Sequence, residues 1–93
     1  MKIVRILTIK NELGLHMRPA AFITRLLRDC CSLVFFTYKN ETVNARSIVN
    51  LLMMVAKKGA AIEVAVDGED ALEIMELLAG AFENGFEEEY GSE

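Results

Sequence analysis

His16 is the one histidine of the chain, and it is followed directly by Met17, Arg18 and Pro19. A free imidazole titrates near pH ~6.5, so much of it is neutral and nucleophilic at physiological pH. The residues that follow read as the start of a helix. There Pro19 loses nothing by lacking an N–H and fixes the aim of the first turn. A helix start offers N–H groups with no internal acceptor and the positive end of the dipole, both suited to a phosphoryl group. Arg18 adds a planar guanidinium that can hold phosphate oxygens in a fork. Together these features point to an anion or phosphate role. Each one alone also fits a polar residue at the junction of a loop and a helix.

Further basic residues extend from this point. Arg18, Arg25 and Arg28 are spaced by seven and three residues, so one helix would carry them on roughly one face, with Ala21 between. Such a strip could steer an acidic partner. With Asp29 beside it, it also fits an ordinary solvated helix face. All ten Lys and Arg fall within residues 1–58, against three acids, whereas residues 59–93 hold eleven acids and no base. The net charge of −4 therefore conceals a basic part and an acidic part.

The positioning elements follow from periodicity and turn chemistry. Residues 2–9 are rich in Ile, Val and Leu and read as a strand, ended by the turn Asn11-Glu12-Leu13-Gly14. Phe22, Ile23, Leu26, Leu27 and Cys30 recur at helical spacing after Pro19. Leu33–Tyr38 is a second strand, Lys39-Asn40 a turn and Thr42-Val43 a short returning strand. Ser47 can cap a helix running to about Lys58, with the lysines at its C-terminus and Gly59 at its exit. This helix is apolar nearly all round, which requires either deep burial or an exposed docking patch; the short chain favours docking. Residues 61–66 alternate cleanly, with Ile62, Val64 and Val66 on one face. Glu69 and Asp70 open a last helix, where acids favour the dipole, with Ala71, Leu72, Ile74, Met75, Leu78 and Phe82 as its stripe. From Asn84 the chain is acidic and expected to fray. The order β-α-β-β-α-β-α predicts an α+β sandwich with one antiparallel sheet covered on one face by helices.

Composition narrows the class. Ninety-three residues, 53% of them hydrophobic, suit a single domain and argue against disorder. No apolar run reaches the roughly 18 residues of a membrane span. Charges interrupt the apolar N-terminal stretch, which argues against a signal peptide and for a cytoplasmic protein. Adjacent Cys30 and Cys31 read as free thiols in a reducing compartment. With one histidine they lack the spacing of a metal or redox site, so no metal is expected. A pI near 5.0 and the lack of an aromatic platform disfavour nucleic acid.

Two segments carry a family resemblance. Gly14-Leu15-His16-Met17-Arg18-Pro19-Ala20-Ala21 resembles the active-site motif of HPr, the histidine phosphocarrier of the bacterial phosphotransferase system. Val43-Asn44-Ala45-Arg46-Ser47-Ile48 resembles its second signature, around a regulatory serine. The likeness covers about residues 2–86. It implies an open-faced sandwich of four antiparallel strands and three helices spanning residues 1–93, with a flexible acidic tail at about 87–93. It further implies that His16 takes phosphate on Nδ1 from phosphorylated enzyme I and passes it to an enzyme IIA-type acceptor. Arg18 would stabilise the phosphoryl group, and the helix start Met17-Arg18-Pro19 would position it. The protein would act as a covalent carrier with no turnover and no cofactor of its own.

The same resemblance makes Ser47 the residue that an HPr kinase/phosphorylase modifies in some bacteria. It places partner docking on Ile48, Val49 and Leu52, with Ala21, Arg25 and Arg28 beside them. Met17 departs from the family's usual alanine. Leu51-Leu52-Met53-Met54, Ala56-Lys57-Lys58-Gly59 and Phe82-Glu83-Asn84-Gly85-Phe86 look more like the nitrogen-type branch (NPr) than the sugar-type one. The competing reading is a regulatory binding module controlled at Ser47 without phosphorelay. Family members of that kind lack the histidine, so His16 with Arg18 and Pro19 favours the carrier.

Overall fold

Strand β1 (Lys2–Thr8) leads to helix α1 (Met17–Leu26), then to β2 (Leu33–Tyr38) and β3 (Glu41–Asn44). Helix α2 (Ile48–Met53), strand β4 (Ala61–Asp67) and helix α3 (Ala71–Glu83) complete the order. The computed structural model describes residues 1–87. The expected flexible tail at 87–93 therefore lies, beyond Glu87, outside the described residues.

The strands form one antiparallel sheet in the order β1-β4-β2-β3. Its inner face is set by the period-2 pattern of β4, where Ile62, Val64 and Val66 are fully buried while Ala61, Glu63 and Asp67 are exposed. Val34 and Phe36 of β2 extend that face. All three helices lie on it. Ile23 and Leu27 bring α1 down, Leu51 anchors α2, and Ile74, Met75, Leu78 and Phe82 bring α3 down. The rings of Phe36 and Phe82 meet edge to face at 5.8 Å, which joins the sheet to the end of α3.

Three local expectations are corrected. First, α1 stops at Leu26 with Leu27 as its C-cap, so Arg28 and Cys30 lie beyond it in a loop. Second, α2 ends at Met53 and does not run to Lys58. Its last turn tightens, Met54 and Val55 donating to the carbonyls three residues back, and Val55 takes a left-handed φ of 51°. That turn delivers the buried Ala56, whose carbonyl accepts the Leu15 N–H at 2.9 Å. Gly59 is then not a helix exit but a turn residue at φ 91°, donating to the Ile9 carbonyl at 2.8 Å.

Asp70 opens α3 as its N-cap residue, as expected, and its side chain makes no capping bond. Its carboxylate instead accepts the Cys31 N–H at 2.8 Å and the Ser32 hydroxyl, tying the loop after α1 to the start of α3. These two bonds, the Cys31 amide first, hold the Asp70 carboxyl below the usual carboxylate range. Third, Asn84–Phe86 do not fray. Gly85 at φ 67° lets the N–H of Phe86 reach the Ala81 carbonyl at 2.8 Å and its own N–H reach Phe82 at 3.1 Å. This is a Schellman ending, closed by buried Phe86 against the ring of Phe82 at 4.8 Å.

Candidate phosphoryl-transfer site

The loop that carries His16 is held from within and from across the fold. The Asn11 side-chain amide donates to the Gly14 carbonyl at 2.7 Å, and the Gly14 N–H returns to the Asn11 carbonyl at 3.2 Å. Gly14 has φ 72°, a left-handed conformation that suits glycine. A Cβ at this position would run into the Ala56 carbonyl and lie 2.8 Å from the Lys57 Cα. The Leu15 side chain is buried and its N–H is fixed on Ala56. These contacts leave His16 at one defined place, the N-cap of α1.

His16 has extended φ and ψ of −103° and −164°, and its carbonyl accepts the first helical bond from Ala20 at 3.0 Å. Its side chain makes no capping bond. The imidazole is thus held at the positive end of a helix, partly exposed, without being engaged by that helix. Pro19 is buried in the first turn, where a missing N–H leaves no gap in the ladder. The first turn contains no acidic residue.

His16, Arg18, Pro19, Ala21 and Arg25 line one open concavity of about 700 Å³. The loop residues Asn11, Glu12 and Leu13 form another part of its wall, and Gly85, Phe86 and Glu87 from beyond α3 complete it. The structure therefore brings the imidazole together with two of the three arginines expected beside it. Arg28 is not among the lining residues. It is off the helix, and its carbonyl accepts from the Arg46 guanidinium at 3.1 Å. Met17 is largely exposed and also outside the lining. The wall contributed by residues 85–87 escaped sequence reasoning because it comes from the far end of the chain. The Gly85 turn that aims it was the only local signal.

The second expected group lies on α2. Ser47 is its N-cap, and Oγ accepts the Asn50 N–H at 3.2 Å, the cap expected from the sequence. Val49 is exposed, and Ile48 and Leu52 are half-buried. Met53 at its end and Val55 in the turn beyond it are exposed as well, so the apolar surplus of this segment is in part on the surface. None of these residues lines the His16 concavity, although α1 and α2 pack against each other.

Residues 3–84 match the family model for the PTS HPr component phosphorylation site. The chain belongs to the HPr family. It is 40% identical over 80 residues to a phosphocarrier protein HPr of Chlamydia pneumoniae, covering 86% of this chain and 74% of that protein. A phosphocarrier protein HPr of Xylella fastidiosa (strain Temecula1) is 37% identical over 83 residues, 89% of this chain and 93% of that one. The crystal structure of HPr-C-His from Thermoanaerobacter tengcongensis superposes with a TM-score of 0.87 at 30% identity, covering 94% and 98% of the two chains. The α+β sandwich expected from the element order, and the four-stranded open-faced form implied by the resemblance, are the observed fold, and an HPr is a phosphocarrier of the phosphotransferase system. Among the described residues no helix is long and apolar enough to cross a membrane, and no group of three or more metal-ligating side chains occurs.

Proposed function

We propose that His16 accepts a phosphoryl group from phosphorylated enzyme I and passes it to an enzyme IIA-type protein. The observation that carries this reading is an imidazole at the N-cap of α1 with no capping bond, in one concavity with Arg18 and Arg25. In the step itself the Nδ1 lone pair attacks phosphorus and a P–N bond forms. The donor's bond to phosphorus breaks and its electron pair returns to the donor. In this reading the amide groups at the helix start and the guanidinium of Arg18, a residue of the same concavity, hold the negative oxygens. The step is reversible in kind, because the phosphoramidate product can meet an acceptor nucleophile in the same open concavity. The protein is then a covalent carrier rather than an independent catalyst. It acts in the cytoplasm as a single domain of residues 1–93 and needs no cofactor.

The test is incubation with enzyme I and radiolabelled phosphoenolpyruvate, with sugar-type and nitrogen-type enzyme I side by side to assign the branch. Wild type should acquire an acid-labile, alkali-stable label that His16→Ala lacks. Full labelling of His16→Ala, or an acid-stable label, would remove His16 from the role.

Ser47 supports a regulatory reading on the same fold. A phosphate on its Oγ would place about −1.5 to −2 charges beside Ile48, Val49 and Leu52, the proposed docking residues. It would then slow loading of His16 by impairing docking. Comparison of Ser47→Asp with wild type, using circular dichroism as a fold check, should show slower loading at low salt. A folded variant with an unchanged rate would make Ser47 a helix cap only.

A further inference from the structure

The outward face of α3 has features that nothing inside the fold uses. Leu72, which the spacing assigns to the buried stripe, is 55% exposed, and Leu77 is 47% exposed. With about 3.6 residues per turn, these two leucines bound an outward arc that holds Glu73, Glu76 and Gly80, all exposed. A glycine inside a helix is unfavourable relative to alanine, because its backbone loses more freedom on folding. A Cβ added at Gly80 would meet nothing within 4 Å. No neighbour in the fold therefore requires this glycine. It leaves a low place on the surface between two exposed leucines, where a second backbone can come close. The arc also has one sign of charge, since residues 59–93 contain no base. Arg5 reaches Glu76 from the flank at 2.9 Å, and among the described residues Glu73 has no ion pair.

We propose that the outward face of α3 docks a basic amphipathic helix of a partner protein. The partner helix crosses α3 at Gly80, where the missing side chain lets the two backbones approach. Its apolar stripe covers Leu72 and Leu77, and its lysines or arginines stand against Glu73 and Glu76. Charge selects this occupant. An acidic surface of the kind that Arg18 and Arg25 would steer to His16 is repelled by the acids of α3. None of these α3 residues lines the His16 concavity, so both faces can be occupied at once. The inference does not depend on the reading of His16.

The experiment uses the full chain and a synthetic amphipathic peptide of Leu, Ala and Lys, about 18 residues long so that it can hold a helix. A counterpart with Glu in place of Lys is the comparison. In NMR titrations the basic peptide should shift the amide signals of α3, and the acidic one should not bind. Gly80→Gln fills the low place with a side chain and a better helix former. It should resist denaturant better than wild type and yet bind the basic peptide about 10-fold more weakly. Leu72→Gln/Leu77→Gln keeps every charge and should weaken binding by about as much. Glu63→Gln/Asp67→Asn removes two exposed acids from the sheet and should change binding by less than about 2-fold. Wild-type affinity in Gly80→Gln, an equal loss in the sheet variant, or signal shifts that fall outside α3 would overturn the proposal. So would self-association in sedimentation experiments that Gly80→Gln abolishes, since the face would then belong to a second copy of this chain.

Discussion

At His16 the decisive property is an engagement the side chain does not make. An N-cap residue ordinarily turns its side chain onto the first helical N–H groups. Ser47 does so at the start of α2, whereas His16 at the start of α1 does not. The sequence showed the residues of this start because His16, Arg18 and Pro19 are contiguous; it could not show Glu87, which arrives from the other end of the chain. If Arg18 holds the phosphoryl group, Arg18→Ala should slow loading by roughly 10- to 100-fold, the worth of one charge-assisted hydrogen bond of about 1.5–3 kcal/mol. Stopped-flow transfer kinetics alongside a docking measurement would show the rate falling more than the affinity, and wild-type rates would remove Arg18 from the step. Asp70 yields a stability prediction of known sign. Its carboxyl is held below the usual range by the Cys31 amide and the Ser32 hydroxyl, so it titrates lower in the folded protein than in the unfolded one. Its contribution is therefore present above the unfolded carboxylate pKa of ~3.9 and is lost as pH falls through the folded value. Asp70→Asn should be less stable than wild type at neutral pH, and the gap should narrow in strong acid. A gap independent of pH in denaturant titrations would contradict this.

Among the elements, the strands were legible and the helix ends were not. Leu33–Tyr38 and the alternation of Ile62, Val64 and Val66 carry their own signal, because a strand half-buried in a sheet shows its inner face directly in the sequence. The end of α2 has no such local signal. Residues 54–58 keep an apolar, helix-compatible pattern, but Leu15 requires the Ala56 carbonyl, and that long-range bond prevails over the local preference. Gly14 is the counterpart of this contact on the His16 loop. Gly14→Ala should be destabilised by the left-handed conformation, about 1–2 kcal/mol, and further by collision with Ala56 and Lys57. Because this collision would displace Leu15 and the loop ahead of His16, loading should slow as well. Gly59→Ala is the internal control. It has φ 91° but open space around a Cβ, so it should lose less stability and load normally. Equal losses by chemical denaturation would show that the approach of Gly14 to Ala56 is not what fixes the loop.

Across the whole molecule the fold uses its uneven charge in two ways. Part of it is paired across the chain. Arg5 meets Glu76 at 2.9 Å and Lys10 meets Glu83 at 2.8 Å, each joining a base near the N-terminus to an acid of α3. These exposed pairs contribute about 0–1 kcal/mol each, so they explain where charge goes more than what holds the fold. The stability resides in the layer between sheet and helices, from Phe36 through Phe82 to the buried stripe of α1. Another part meets at one concavity, which Arg18, Arg25 and Glu87 line together with His16. The sequence displayed the asymmetry but not this convergence, which depends on the turn at Gly85. An open concavity of this kind suits a group that must be received and then surrendered. The central claim is therefore onward transfer, and a pulse-chase measures it. Protein labelled on His16 by enzyme I, freed of the donor, is mixed with an enzyme IIA-type acceptor. The account predicts that the label leaves this chain, appears on the acceptor, and returns the chain to a state that enzyme I can load again. A label that stays on His16, with sugar-type and nitrogen-type acceptors alike, would contradict it.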